Sequence, residues 1–234
     1  MSIIGEYRMG VYELLYKYPI CNYSYSEKKG GACHDSVLIL GSGWIGNEAF
    51  KACLWAGQSY DSRLKITVAS ENADEYEELI TGEKSRFPGV SAFLKDYPET
   101  TLSFVKADAD DTDGLLLDRE NYTYIIISLG DDNDTDDEIY NALIAEEIIE
   151  KLKGIKYEHK PLIAVFGKSK IPEADRERLS QTDCAEVVFF DREKIDNGSE
   201  LTLCAKNINY AYEMYYDERV SRTKADGNFN EKLN

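Results

Sequence analysis

An apolar run, Val37–Leu40, leads directly into Gly41, Gly43 and Gly46 at the spacing G-x-G-x-x-G. Nothing else in the chain restricts the fold as much. The run suits a strand buried on both faces. Gly41 permits a sharp turn out of it, Gly43 lets backbone come close to a pyrophosphate, and Gly46 lets the next helix lie close on the strand. Asn47–Gly57 alternates small and apolar residues and reads as that helix, closed by Gly57. Strand, turn and helix in this order aim the unpaired N–H groups of a helix N-terminus at an anion. The competing reading is a glycine turn that binds nothing.

The strand–helix rhythm then repeats. Leu64–Ala69, Thr101–Ala107, Tyr124–Leu129, Leu162–Phe166 and Ala185–Phe190 read as further strands. Between them, Asp74–Ile80, Val90–Asp96, Asp136–Lys153 and Glu173–Leu179 read as helical, and a helix is expected to start within Asp113–Leu117. In Asp136–Lys153 the apolar face is marked by Ile139, Ala142, Leu143, Ile149 and Leu152, and Gly154 closes the helix. This alternation predicts an α/β fold: a doubly wound, mostly parallel, six-stranded Rossmann-like sheet in the order 3-2-1-4-5-6. The expected domain covers 36–195. Residues 1–35 form a Tyr-rich extension with a short helix near 9–18, stopped by Pro19, which packs on the domain or on another subunit. Residues 196–234 carry an expected helix, Glu200–Arg222, with Leu201, Cys204, Ile208, Ala211, Tyr212 and Tyr215 as its apolar stripe. A polar tail follows that suits the front part of a longer protein.

Bulk properties exclude some partners. The 234 residues are 43% hydrophobic, enough for a core. A net charge of −17 repels nucleic acid and anionic membrane. The five cysteines are odd in number, widely spaced and form no CxxC, which points to a reducing compartment. Cys53 and Cys204 read as core thiols. No stretch approaches 18 apolar residues and no signal peptide opens the chain, so a cytoplasmic protein without membrane insertion is expected.

The strand ends carry the candidate nucleotide contacts. Ending the second strand at Ala69 places Ser70, then Glu71, where a ribose partner is needed, against the alternative of a solvated turn. Asp108, at the tip of the third strand beside Ala109, suits an adenine amino group, or else a turn or helix cap. Backbone at Ser128, Leu129 and Gly130 suits a path along the nucleotide. Gly41, Ser42, Gly43, Trp44, Ile45 and Gly46 complete the cofactor-binding set. No Arg or Lys directly follows Ser70-Glu71, which favours NAD, NADH or an adenine nucleotide over NADP.

Catalytic and metal patterns are missing. His34 and His159 fall in apparent loops and read as surface residues, with no HExxH. Tyr25–Lys29 spells YxxxK but stands before the first strand, out of place for dehydrogenase acid/base chemistry. There is no GxSxG and no P-loop. Leu40 stands where methyltransferases of similar architecture carry an acid. The run Asp131–Glu138 holds six carboxylates but lacks the Gly and Glu of a calcium loop. A second register, from Ala109, lacks the first ligand. The run reads as an exposed loop whose last acids stabilise the following helix N-terminus. No metal is expected.

With these segments placed, residues 36–190 resemble the TrkA-N family, the Rossmann nucleotide-binding domain of potassium-uptake regulators. The shared features are LILGSGWIG, the strand ITVAS where the family has ITVVD, ADADDTDGLL, and DDEIYNALIA with Asn141 at the family's Asn. Ser70 replaces the ribose Asp and Ala107 replaces a glycine, and the family's second, regulatory domain is missing. The resemblance implies NAD, NADH or adenine-nucleotide binding, a homodimer, and switching of a transporter or attached domain without catalysis. Two alternatives stand beside this reading. One is the cofactor domain of an NAD-dependent oxidoreductase. The other is an interaction module that kept the fold and lost the ligand.

Overall fold

The computed structural model describes residues 3–26, 32–57, 62–82, 85, 87–107, 112–115, 117, 120–129, 135–155 and 159–192. All belong to the unit Met1–Glu193. The expected helix Glu200–Arg222 lies outside the described residues, as do Asp108, Ala109 and Gly130.

Six parallel strands form one sheet, β1 (Cys33–Leu40), β2 (Ser62–Ser70), β3 (Thr101–Lys106), β4 (Tyr124–Ile127), β5 (Leu162–Phe166) and β6 (Glu186–Phe190), in the order β3-β2-β1-β4-β5-β6. This is the doubly wound, Rossmann-like α/β sheet that the alternation predicts. Strand order reverses between β1 and β4, where such sheets open a crevice at their carboxyl ends. The helices are α1 (Ile3–Lys17), α2 (Trp44–Ala56), α3 (Ala73–Thr81), α4 (Pro88–Asp96), α5 (Thr135–Gly154) and α6 (Glu173–Ser180).

The sheet is apolar on both faces because both are covered. Val37, Ile39, Ile66, Val68, Ile126 and Ala164 meet Phe50, Cys53 and other side chains of α2, together with α1 and α3. Leu38, Leu40, Ile125, Ile127, Ile163 and Val165 meet Ala145, Ile148 and Leu152 of α5 and Leu179 of α6. Successive strand residues point to opposite faces, so one VLIL run feeds both cores. Burial pushes the Cys53 thiol up to about 12, as suits a packed, unreactive sulfur.

Some expectations need correction. The helix expected within Asp113–Leu117 is a 3-10 turn, Thr112–Leu115; Gly114 at its centre favours a tight connector over a longer helix. On α5, Ile139 and Leu143 are 44% and 52% exposed, while Ala142, Ala145, Ile148, Ile149 and Leu152 are buried. At roughly 100° per residue, Ile139 and Leu143 stand across the helix from that buried stripe. Finally, His34 lies in β1, not in a loop. Tyr25 stacks on His34 at 5.1 Å and on His159 at 4.9 Å between ring centroids. The two histidines are half-buried faces of an aromatic stack, which their separation in sequence conceals.

The N-terminal helix joins this core. It starts at Ile3, well before residue 9, and buries Tyr7, Val11, Leu14 and Leu15. Arg8 Nε donates to the buried Glu48 carboxylate of α2 at 2.9 Å. The Tyr124 hydroxyl donates to the Tyr18 carbonyl at 3.0 Å. Asp35, buried at the start of β1, accepts from the hydroxyls of Ser24 and Ser62, which ties the segment after α1 to β2.

Candidate functional site

A cavity of about 470 Å³ lies at the carboxyl ends of β1–β4. Its walls are the turn Gly41–Gly43, the end of β2 at Ala69–Asn72, Ala107 and Leu115 after β3, Ser128 and Leu129 after β4, and Ile144 of α5.

The three glycines play different parts. Gly41 has φ +101°, a conformation that disfavours other residues. A Cβ there would also sit 2.6 Å from the Ser128 carbonyl oxygen. A Cβ on Gly46 would sit 2.0 Å from the Gly41 carbonyl oxygen, so this glycine lets α2 seat on the turn. Both are required by the chain's own packing. Gly43 is the N-cap of α2 at φ −66° and ψ −167°, extended backbone that other residues adopt. Backbone conformation alone therefore does not require a glycine at this position.

That helix end is chemically unfinished. Among the described residues no side chain caps α2, and its first turn holds no acid. The first N–H groups therefore lack intrahelical partners, and the positive end of the helix dipole lies beside Ser42 and Gly43 at the cavity. A second unfinished group lies across the floor. Ser70 is 8% exposed, and its buried hydroxyl has no hydrogen-bond partner among the described residues. Buried polar atoms are nearly always paired, and Thr67 Oγ1 on the same strand is likewise unpaired among the described residues. Exposed Glu71 follows it in the same wall.

Other expected contacts are placed differently. Trp44 is 44% exposed and stands outside the cavity lining. Ile45 packs into the core between α2 and the sheet. Neither residue is part of the described cavity lining; both sit in the first turn of α2. Ser128 lines the cavity, but its hydroxyl donates to the Leu40 carbonyl at 2.9 Å, so it clamps β4 to β1. Leu129 lines the cavity, and Asn141 holds it from α5. Leu40, Ala69, Asn72, Ala107, Leu115 and Ile144 also line the cavity and were not expected to bind. Small or aliphatic residues at strand ends carry no distinctive signal in sequence.

The cavity reaches no described residue of β5 or β6. Asn141, fully buried, spans the ends of β4 and β5: its Nδ2 donates to the carbonyls of Leu129 at 3.1 Å and Phe166 at 3.2 Å. Beside it, Gly167 (φ +106°) lies so close under Glu138 that a Cβ there would be 2.8 Å from the Glu138 Cβ. Burial raises the Glu138 carboxyl above its ordinary range, with the Asp191 charge adding to it; burial likewise raises Asp191.

Among the described lining residues, Glu71 is the one with an ionisable side chain, and none is basic. The described residues contain no cluster able to hold a metal ion, and no helix among them is long and apolar enough to cross a membrane. The Asp131–Asp134 part of the acidic run lies outside the described residues. Tyr25 of the YxxxK pattern stands at the opposite, amino edge of the sheet; Lys29 lies outside the described residues. A second cavity of about 340 Å³ opens at that edge, where Arg63 meets Glu99 at 3.4 Å and Lys65 meets Glu120 at 2.6 Å.

No family model and no curated protein sequence matches the chain. One solved structure that it resembles is a cinnamyl alcohol dehydrogenase of Sorghum bicolor, at 14% identity and a TM-score of 0.42. The match covers 88% of this chain and 43% of that one, so the chain spans less than half of that enzyme's length. The fold assignment rests on the chain's own strand order and register.

Proposed function

We propose that the chain is a regulatory, non-catalytic nucleotide-binding domain that takes NAD(H) or an adenine nucleotide at the carboxyl ends of β1–β4. One observation carries this reading: the uncapped N-terminus of α2 lies at a cavity that Ser70 and Glu71, at the end of β2, also line. The helix N-terminus suits a phosphate. The end of β2 suits a ribose hydroxyl. Ala107 and Leu115 offer an apolar slot for a base. The ionisable lining is limited, among described residues, to Glu71, which gives no acid/base pair to work on a substrate. A regulatory role is the reading that needs no such pair, and its ligand state would pass to a partner protein or an attached domain. The free thiols of Cys21, Cys33, Cys53 and Cys184 agree with a reducing, cytoplasmic setting.

The test is thermal unfolding of the full chain with NAD, NADH, NADP, ATP and AMP in turn. A ligand that binds only the folded state, at 100 times its dissociation constant, adds about 2.7 kcal/mol. A rise in Tm with at least one of them is expected, smaller for NADP than for NAD. No shift with any would leave the interaction-module reading in its place.

A further inference from the structure

Two stripes of exposed residues meet where α1 packs on α2. On α1, Arg8, Tyr12 and Tyr16 follow one another at four-residue spacing, so they share one side of the helix. All three are exposed, Tyr12 at 40% and Tyr16 at 72%. On α2, Trp44, Glu48 and Trp55 stand at i, i+4 and i+11, which is again one side. Trp44 is 44% exposed and Trp55 72%. The stripes are joined by the ion pair of Arg8 and Glu48, at 2.9 Å.

The two helices run the same way. Gly10 of α1 lies against Asp191, after the carboxyl end of β6. Tyr18, just past α1, accepts the hydroxyl of Tyr124 at the amino end of β4. Likewise, α2 starts after the carboxyl end of β1 and ends before β2. At 1.5 Å per residue, Tyr16 lies about 12 Å along α1 from Arg8, and Trp55 about 10 Å along α2 from Glu48. Both rings therefore stand at one level of the helix pair. Four of the seven large apolar side chains exposed among the described residues lie on these two helices, and such clustering marks an interaction surface where single exposed residues would not.

Charge selects the occupant. At a net charge of −17, two copies of the chain repel over most of their surface. From Arg8 to Lys17 and along α2, however, Arg8, Lys17 and Lys51 outnumber Glu13 and Glu48. By contrast, α3 carries Asp74, Glu75, Glu77 and Glu78 and no base. The exposed pair Ile139 and Leu143 shares α5 with Glu138, Glu146, Glu147 and Glu150, against Lys151 and Lys153. A strongly basic partner would be drawn to those acidic helices. The face of α1 and α2 is the one where a second acidic molecule meets aromatic rings and little repulsion. We propose that two copies of this chain associate through this face, related by a two-fold axis, with Tyr16 and Trp55 as anchors. A two-fold contact sets the same patch on both copies, so each aromatic stripe covers the other. Trp, Tyr and Arg, the residues of these stripes, are those that most often carry the energy of a protein contact.

Sedimentation equilibrium of the full chain at micromolar concentration tests this. A dimer is expected, and it should tighten as salt screens the net repulsion. Tyr16→Glu and Trp55→Glu should each raise the dissociation constant by about tenfold or more, with the circular dichroism spectrum unchanged because both side chains are exposed. Leu143→Glu, on α5, should leave the dimer as it is. A parent chain that stays monomeric at every concentration and salt would overturn the proposal. So would a dimer that loosens with salt, since ion pairs would then hold it, or one that Leu143→Glu breaks and Trp55→Glu does not.

Discussion

Asn141 grips both backbone groups of Leu129: its Oδ1 accepts the Leu129 N–H at 3.0 Å, and its Nδ2 donates to the Leu129 carbonyl at 3.1 Å. A third bond, to the Phe166 carbonyl at 3.2 Å, makes the same side chain a clip between β4 and β5. Leu129 is a wall of the cavity, so the clip sets the cavity's edge as well as the sheet's.

Replacing Asn141 by Ala leaves three backbone groups without their partner. Each buried, unpaired group costs roughly 1–3 kcal/mol, less whatever water recovers, so a loss of about 2–4 kcal/mol is expected from denaturant unfolding. Asn141→Asp should be at least as harmful, since a carboxylate oxygen would face two carbonyl oxygens. A loss below about 0.5 kcal/mol for both variants would show that the clip is dispensable.

Ser70→Ala separates a ligand contact from a structural one. The hydroxyl has no partner among the described residues, so removing it should leave stability unchanged or raise it by about 1 kcal/mol. Nucleotide affinity should fall by about tenfold, the worth of one hydrogen bond of about 1.4 kcal/mol. Destabilisation without an effect on binding would mean the hydroxyl serves the fold.

The glycines should part company. Gly46→Ala drives a methyl to 2.0 Å from the Gly41 carbonyl oxygen and must lower the thermal midpoint with no ligand present. Gly43→Val sits in backbone that valine adopts, so its unliganded midpoint should stay near that of the parent while the ligand-induced rise disappears. Equal loss of folding in both would assign Gly43 to packing instead.

Glu138 gives a pH test. Its carboxyl is raised above 4.5 in the folded protein, first by burial and then by Asp191. The folded state therefore holds this proton more tightly than the unfolded one. Stability is lost as pH rises from 4.5 through the raised value. Glu138→Gln removes the deficit. Its thermal midpoint should exceed the parent's at pH 7, and the difference should vanish near pH 3.5, below the ordinary value of 4.5. An advantage independent of pH would rule out this linkage.

The sheet was legible in the sequence because each strand is a short apolar run bounded by a turn or a helix. LIAVF became β5 without a residue's change, Tyr124–Leu129 shortened to Tyr124–Ile127, and the run Val37–Leu40 proved to be the second half of a strand that starts at Cys33. Periodicity was less informative on α5. It is apolar enough to offer more than one stripe, and contact with β4 and β5 chose the side holding Ile148 and Leu152 over that holding Ile139 and Leu143. The turn was readable at Gly41 and Gly46, whose roles are local. The aromatic stack of His34, Tyr25 and His159 was not, since it joins three distant segments.

By itself, then, the sequence determined the class of fold, the strand order and the place of the helix N-terminus that a phosphate would meet. These follow from strand-sized apolar runs, right-handed crossovers and a glycine turn, all local or nearly so. Only the tertiary structure decided how the strand ends are held. Asn141 closing on Leu129 and Phe166, Glu138 over Gly167 and Gly10 against Asp191 are contacts between separate segments, which no single motif in the sequence encodes.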